Sequence, residues 1–304
     1  MRSAIAIRSS STGLTSIAAL ALGPVGPRSP NALLTRSFVP LACLTLLFAG
    51  LLSASLAQAQ SRRMRIPILV YHRFGARVTD SMTVRTAIFA GQLRFLKEHH
   101  ITAVPLRGVV RYFLGQAPPP PPNSIVITAD DGHVSVFSDM LPLVKQYKIP
   151  VTLFIYPSAI SNASYAMTWE ELAELKATGL FDVQSHTFWH PNFRIEKQRR
   201  SPADYQRFVR EQLVKSKGRL EQKLGGKVDM LAWPFGIYDD ELIGLARECG
   251  YVAGFSIVRR PATSRDNVMA LPRYLMTEAD QGRAFERIVE GESLEPQPQL
   301  ENMR

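Results

Sequence analysis

The sequence predicts an α/β protein organised around a mostly parallel sheet. Short β-rich apolar runs alternate with helical patterns, and Ile125 to Thr128 reads as a strand buried on both faces. Removing a leader of 59 residues from the 304 leaves 245, a size that suits a single α/β barrel. With 46% hydrophobic and 20% charged residues and only two cysteines, the chain is neither disordered nor collagenous nor disulfide-stapled.

The leader comes first in chain order. Residues 1 to 59 hold Arg2, Arg8, Arg28 and Arg36 and no acid, then the uncharged run Phe38 to Leu56, then Ala57-Gln58-Ala59. Basic region, apolar region and A-x-A site together predict a secretory signal peptide cut after Ala59. The alternative is an uncleaved membrane anchor, since about 20 apolar residues span a bilayer. Cys43 follows Pro40 too closely, and precedes too long an apolar run, to suit a lipid anchor. Without the leader's four arginines, 32 of the 36 basic residues face 26 acids, a charge of +6. Acids and bases are interspersed, which describes a solvated mixed surface and offers no nucleic-acid face. Cys249 alone remains, so stability comes from packing, aided by a metal if one binds.

Candidate strands are Ile66 to Tyr71, Thr102 to Leu106, Ser124 to Ala129, Val151 to Tyr156, Phe181 to Ser185, Met230 to Trp233, Val252 to Ile257 and Val268 to Leu271. Phe89, Leu93 and Leu96 mark one helix by their spacing, and Thr168 with Glu171 forms a capping box that opens another. Ser201-Pro202 starts a long helix that Gly225 ends, and Glu241 to Glu248 is a helix stopped by Gly250. Pro118 to Pro122 is a stiff connector into the strand at Ser124. Residues 60–290 thus form one domain, and 291–304 reads as a loose, flexible tail.

The chemistry gathers at strand ends. One strand delivers Ala129-Asp130-Asp131-Gly132, two carboxylates where a barrel opens its active face. Another delivers Ser185-His186-Thr187-Phe188-Trp189-His190, whose two imidazoles can face one metal with a carboxylate as third ligand. Either motif alone is weak and reads as structural; together on strand ends they read as catalytic, with a ligand set that leaves a position open for water. Adjacent carboxylates on a strand point to different sides, which disfavours a two-carboxylate glycosidase and would leave the imidazoles without a task.

Tyr71-His72-Arg73-Phe74, Thr128-Ala129-Asp130-Asp131-Gly132, Ser185-His186 through His190 and Trp233-Pro234-Phe235-Gly236 together resemble the polysaccharide deacetylases of carbohydrate esterase family four, the NodB-homology family. The early Tyr-His is similar to the branch that contains biofilm poly-N-acetylglucosamine deacetylases. The resemblance spans about residues 65 to 275. It implies a single catalytic domain with a distorted (β/α)7-type barrel.

Carried over by motif, the resemblance makes Asp131, His186 and His190 the ligands of one divalent metal, with Zn the family's commonest and Co or Ni also accepted by such ligands. It makes Asp130 the general base and the Phe235 backbone N–H an oxyanion donor. No histidine follows His190, so the family's late acid histidine is missing, and His72 takes the general-acid role as in the early-histidine branch. Ala129 stands where the family has an aromatic residue, which predicts a wider cleft. Ala232 stands where many members place an arginine beside the catalytic carboxylate, and Arg273 is the substitute expected to keep Asp130 ionised. Trp189, lying between the two histidines, is the candidate sugar-stacking residue. His133 reads as a solvent-facing loop residue, His99 and His100 as a helix end, and Asp239 and Asp240 as a helix start.

The expected function is an exported deacetylase, acting in the periplasm or cell envelope, that frees acetate from N-acetylglucosamine units of a polysaccharide. Poly-N-acetylglucosamine, peptidoglycan and chitin-like oligomers all qualify as partner, and a membrane enters only if the leader stays. The alternative is a catalytically weak or inactive glycan-binding member, motivated by Ala129 and Ala232.

Overall fold

The computed structural model describes residues 64–295. The leader at 1–59 and the end of the expected tail, 296–304, lie outside the described residues. Among those described, no helix is long and apolar enough to cross a membrane.

The strands are β1 (Ile68–Tyr71), β2 (Arg73–Gly75), β3 (Thr83–Arg85), β4 (Thr102–Ala103), β5 (Ser124–Asp130), β6 (Val151–Ile155), β7 (Phe181–Ser185), β8 (Met230–Ala232), β9 (Ala253–Phe255) and β10 (Tyr274–Leu275). Seven of them run parallel in the order β10-β1-β5-β6-β7-β8-β9, with β4 paired to β5 and β2 to β3. The result is a curled parallel sheet with helices outside it, as the alternation of strand and helix patterns requires. Its two end strands do not pair. The segment before β10 closes the seam instead: Leu271 donates to Gly254 O and accepts from Ser256 N, both at 2.8 Å.

Alternation along β5 sorts its side chains into two layers. Ile125, Ile127 and Ala129 join Phe89, Leu93, Val144 and Leu172 in the core between sheet and helices. Val126 joins Phe154, Met230, Ala232, Phe255 and Leu271 inside the curl. Leu106, Val109 and Val110 share that inner core, so the helix Leu106–Phe113 plugs the end where strands begin. Arg107 ties the plug down through Asp229 at 2.9 Å. Active groups are thereby left to the opposite end, where the strands finish.

Local signals hold closely. Thr168 accepts from Glu171 N at 3.1 Å while the Glu171 carboxylate accepts from Thr168 N at 2.7 Å, a complete capping box. Ser201 caps Pro202–Leu224, and Gly225 closes it at φ 67°. Asp239 accepts from Leu242 N at 2.8 Å as the cap of Asp240–Glu248. Gly254 is required by close approach: a Cβ there would lie 2.2 Å from Met269 O and 2.7 Å from Trp233 Nε1.

Three expected strand boundaries are corrected. Thr102 to Leu106 stops at Ala103, because Pro105 precedes Leu106, Val109 and Val110, whose spacing belongs to a helix. Val268 to Leu271 is a 3-10 turn, Val268–Ala270, capped by Asn267, and the strand comes later as β10. Pro272 lacks the N–H a ladder needs, which delays the pairing. Pro67 likewise separates Ile66, which bridges Ala262, from β1. Of the expected tail, Leu294 donates to Arg259 O at 2.8 Å and Glu292 O accepts from Tyr274 Oη at 2.6 Å.

Candidate active site

Asp130 is the last residue of β5, and the chain turns sharply beyond it. Asp131 has φ 72° and Gly132 φ 81°. A Cβ on Gly132 would press on Ile155 and Ile160 at 3.0 Å, so this turn needs glycine. Adjacent carboxylates were expected to diverge, but the positive φ of Asp131 swings its side chain back. Asp130 Oδ2 and Asp131 Oδ1 lie 3.8 and 3.6 Å from the same His186 Nε2.

The histidines follow β7 on a second tight turn, with Thr187 at φ 64° and His190 at φ 60°. Ser185 Oγ accepts from Thr187 N and Thr187 Oγ1 from His190 N, both at 3.2 Å, which fixes the turn. It brings the two imidazole centroids to 4.5 Å. The same turn sends Trp189 outward: the residue is 42% exposed, and its ring lies 5.9 Å from that of Phe208. Trp189 thus stands outside the cleft lining, beside the histidine turn.

Asp131, His186 and His190 place one ligand atom each within 4.8 Å of one another. They fit a divalent metal on three counts. Asp131 Oδ1 is buried with no hydrogen-bond partner. It sits 3.6 and 3.9 Å from the two Nε2 atoms, too far to bond them and close enough to share an ion with bonds of about 2 Å. His186 Nδ1 donates to Ala232 O at 2.8 Å, which leaves the Nε2 lone pair facing the gap. Burial, then the neighbouring His190, pushes His186 down to about 4; burial, then His72, does the same to His190. Both imidazoles are neutral at physiological pH, as metal ligands must be.

Arg273 reaches Asp130 with both arms. Nη1 donates to Oδ1 at 2.9 Å and Nη2 to Oδ2 at 2.7 Å. The guanidinium is wholly buried, donates through Nε to Ser256 O at 3.1 Å, and lies over the rings of Phe154 and Phe255 at 5.3 and 6.0 Å. Burial by itself would raise the Asp130 carboxyl, but the Arg273 charge and its paired hydrogen bonds, with His186 and His72 nearby, hold it below the usual value. Ala232 packs inside the curl, and Arg273 supplies the positive charge from the seam before β10.

His72 follows β1 and lines the same cleft, its Nδ1 buried and unpartnered. Phe235 lines it too, with φ 56° and ψ 13°. The turn's bonds run from Gly236 N to Trp233 O and from Ile237 N to Pro234 O, so the Phe235 N–H is not spent within them. The cleft has a volume of about 240 Å³. Ala129 does not widen it. That residue faces the helix layer beside Tyr71, on the opposite side of the sheet from Asp130.

Sequence reasoning missed Arg73 and Tyr156 as cleft residues. Tyr156 directly follows β6, and that position in a parallel barrel was the available signal. His133 is half-buried, paired with Ser135 Oγ at 2.8 Å, not facing solvent.

Residues 117–254 match the family described as polysaccharide deacetylase. The match takes in Asp130, Asp131, His186, His190 and Phe235; His72 and Arg273 lie outside it. A poly-beta-1,6-N-acetyl-D-glucosamine N-deacetylase of Staphylococcus aureus is 24% identical over 225 residues, 72% of this chain and 75% of its own. The Staphylococcus epidermidis protein of that name is 25% identical over 222 residues, covering 71% and 74%. Among solved structures, the Streptococcus pyogenes deacetylase PplD in complex with acetate aligns with TM-score 0.66 and 20% identity, over 77% of this chain and 99% of that one. IcaB from Ammonifex degensii aligns with TM-score 0.62 and 23% identity, over 74% and 96%. These structures share the curled parallel barrel.

The buried imidazoles predict a pH effect on the metal-free protein. A histidine whose folded pKa drops from 6.5 to about 4 gives stability that is complete above 6.5 and lost as pH falls toward 4. Asp130, also lowered, adds its loss only below its ordinary 3.8. The melting temperature of chelated protein should therefore fall steadily between pH 6.5 and 4. A flat profile there would contradict the buried neutral pair.

Proposed function

We propose, from the premise that this chain is a hydrolase built on a polysaccharide deacetylase domain, that it removes N-acetyl groups from N-acetylglucosamine units of a cell-envelope polymer. The observation that carries the reading is an ionised carboxylate, Asp130, held by Arg273 beside three side chains suited to one metal. Poly-N-acetylglucosamine is the favoured polymer, on the names of the staphylococcal relatives.

A divalent ion, zinc by its ligand set, would be held by Asp131, His186 and His190 and would supply Lewis-acid polarisation and a more acidic water. Asp130 takes the proton from the water that adds to the acetyl carbonyl carbon. Its anionic state, maintained by Arg273, makes it competent at neutral pH. The Phe235 N–H donates to the oxygen that gains negative charge in that addition. His72 gives a proton to the amide nitrogen, so the carbon–nitrogen bond breaks with a neutral amine leaving and acetate remaining. Because an amine is a poor leaving group unless protonated, this last transfer decides whether the tetrahedral species goes forward.

The leader's basic and apolar segments and Ala57-Gln58-Ala59 support export, with the work done in the periplasm or envelope. Mass spectrometry of the exported protein should find Gln60 at its N-terminus; a retained leader would indicate an anchor.

Acetate release from N-acetylglucosamine oligomers tests the chemistry. Chelation should abolish it, and zinc should restore it. His72→Asn should lower kcat about 100-fold with zinc content unchanged. Full activity in His72→Asn would remove that residue from the acid role, and no acetate from zinc-loaded protein would overturn the deacetylase reading.

A further inference from the structure

Tyr165 combines features that a simple surface residue lacks. Its side chain is among the exposed large aromatics at 43%, yet its backbone is fastened to the turn that carries the two carboxylates. Val134 N donates to Tyr165 O at 2.8 Å, Met167 N donates to Gly132 O at 2.9 Å, and Ala166 bridges His133. The His133 ring lies nearly parallel to that of Tyr165, 14° apart with centroids at 6.2 Å. An exposed ring fixed in orientation presents a flat apolar face at little entropic cost on binding.

Its hydroxyl leads into the cleft. Tyr165 Oη and Tyr156 Oη lie 2.6 Å apart, and the Tyr156 ring lines the cleft 5.4 Å from the His190 ring. Two phenols carry two protons, and the bond between them uses one. Among the described residues neither hydroxyl has another hydrogen-bond partner, so one O–H remains as a donor at the cleft rim. The wall thus runs outward from the metal-ligating set, first Tyr156 and then Tyr165 one phenol beyond. A pyranose has a matching surface, with apolar C–H faces and hydroxyls at its edge.

We infer that Tyr156 and Tyr165 form a subsite for the sugar next to the unit being deacetylated, with the Tyr165 ring under a pyranose face and the spare phenol proton on a sugar oxygen. The inference rests on the proposed polysaccharide substrate and adds that the site recognises a chain of sugars. Tyr165 is thereby a specificity residue that acts on binding, apart from the reacting atoms.

The test compares wild type, Tyr165→Phe and Tyr165→Ala in the zinc-loaded full chain, with N-acetylglucosamine dimer and pentamer. KM for the pentamer should rise about threefold in Tyr165→Phe and about tenfold in Tyr165→Ala, while kcat stays within about twofold. The pentamer's advantage over the dimer should shrink in the same order. Unchanged KM in both variants, or a fall in kcat accompanied by a lower melting temperature, would overturn the subsite. Pentamer binding measured without turnover separates the two claims. A wild type that releases no acetate, yet binds pentamer more weakly once Tyr165 is alanine, sinks the deacetylase reading and keeps the subsite. An active wild type whose binding ignores Tyr165 does the reverse.

Discussion

The site depends on a buried ion pair at the seam of the sheet. Arg273 has no solvent exposure, and Asp130, Ser256 O, Thr128 Oγ1 and two aromatic faces make its charge tolerable there. Breaking such a pair by removing one partner typically costs about 3–5 kcal/mol, because the other charge stays buried alone. The pair is possible because β9 and β10 do not join. The segment between them passes through the opening, bonds Gly254 and Ser256, and delivers Arg273 to the end of β5. An incompletely closed barrel thus serves to keep a buried carboxylate ionised at the floor of the cleft.

Around this pair the backbone adopts conformations that ordinary residues avoid. Asp131, Thr187, His190 and Phe235 all have positive φ, and all belong to turns that follow strands at the cleft. Such residues cost about 1–3 kcal/mol each, and they persist only where neighbours over-determine them. Here Ser185 and Thr187 hydroxyls hold the histidine turn, and Asp131 N donates to Phe154 O at 3.0 Å. The strain is what turns a carboxylate and an imidazole back toward one point. Extended strand ends would have sent them to opposite faces.

Much of this was legible in the residues. The buried-type strand at Ile125, the capping box at Thr168, and the carboxylate and histidine motifs each announce their local structure through chemistry close in sequence. Arg273 was traceable by asking which cation could stand beside Asp130 when Ala232 supplies none. What stayed hidden depends on distant packing. The helix at Leu106 is amphipathic only with respect to a barrel floor, and the turn at Val268 depends on Asn267 capping and on Pro272 withholding a donor. The facing of Ala129, toward the helix layer, is set by strand alternation and by which side of the sheet curls inward, and no residue type reports that. Tyr156 and Tyr165 meet through a hydroxyl contact across nine residues, with no motif to mark it.

The central claim divides the adjacent carboxylates into one base and one ligand, and zinc content measured together with acetate release in Asp130→Asn tests it most directly. If Arg273 holds Asp130 for proton transfer while Asp131, His186 and His190 hold the ion, the variant keeps one zinc per chain and loses at least about 100-fold in kcat. A variant that loses its zinc along with its activity would make Asp130 a ligand, and one that keeps both would leave the reaction without the base assigned to it.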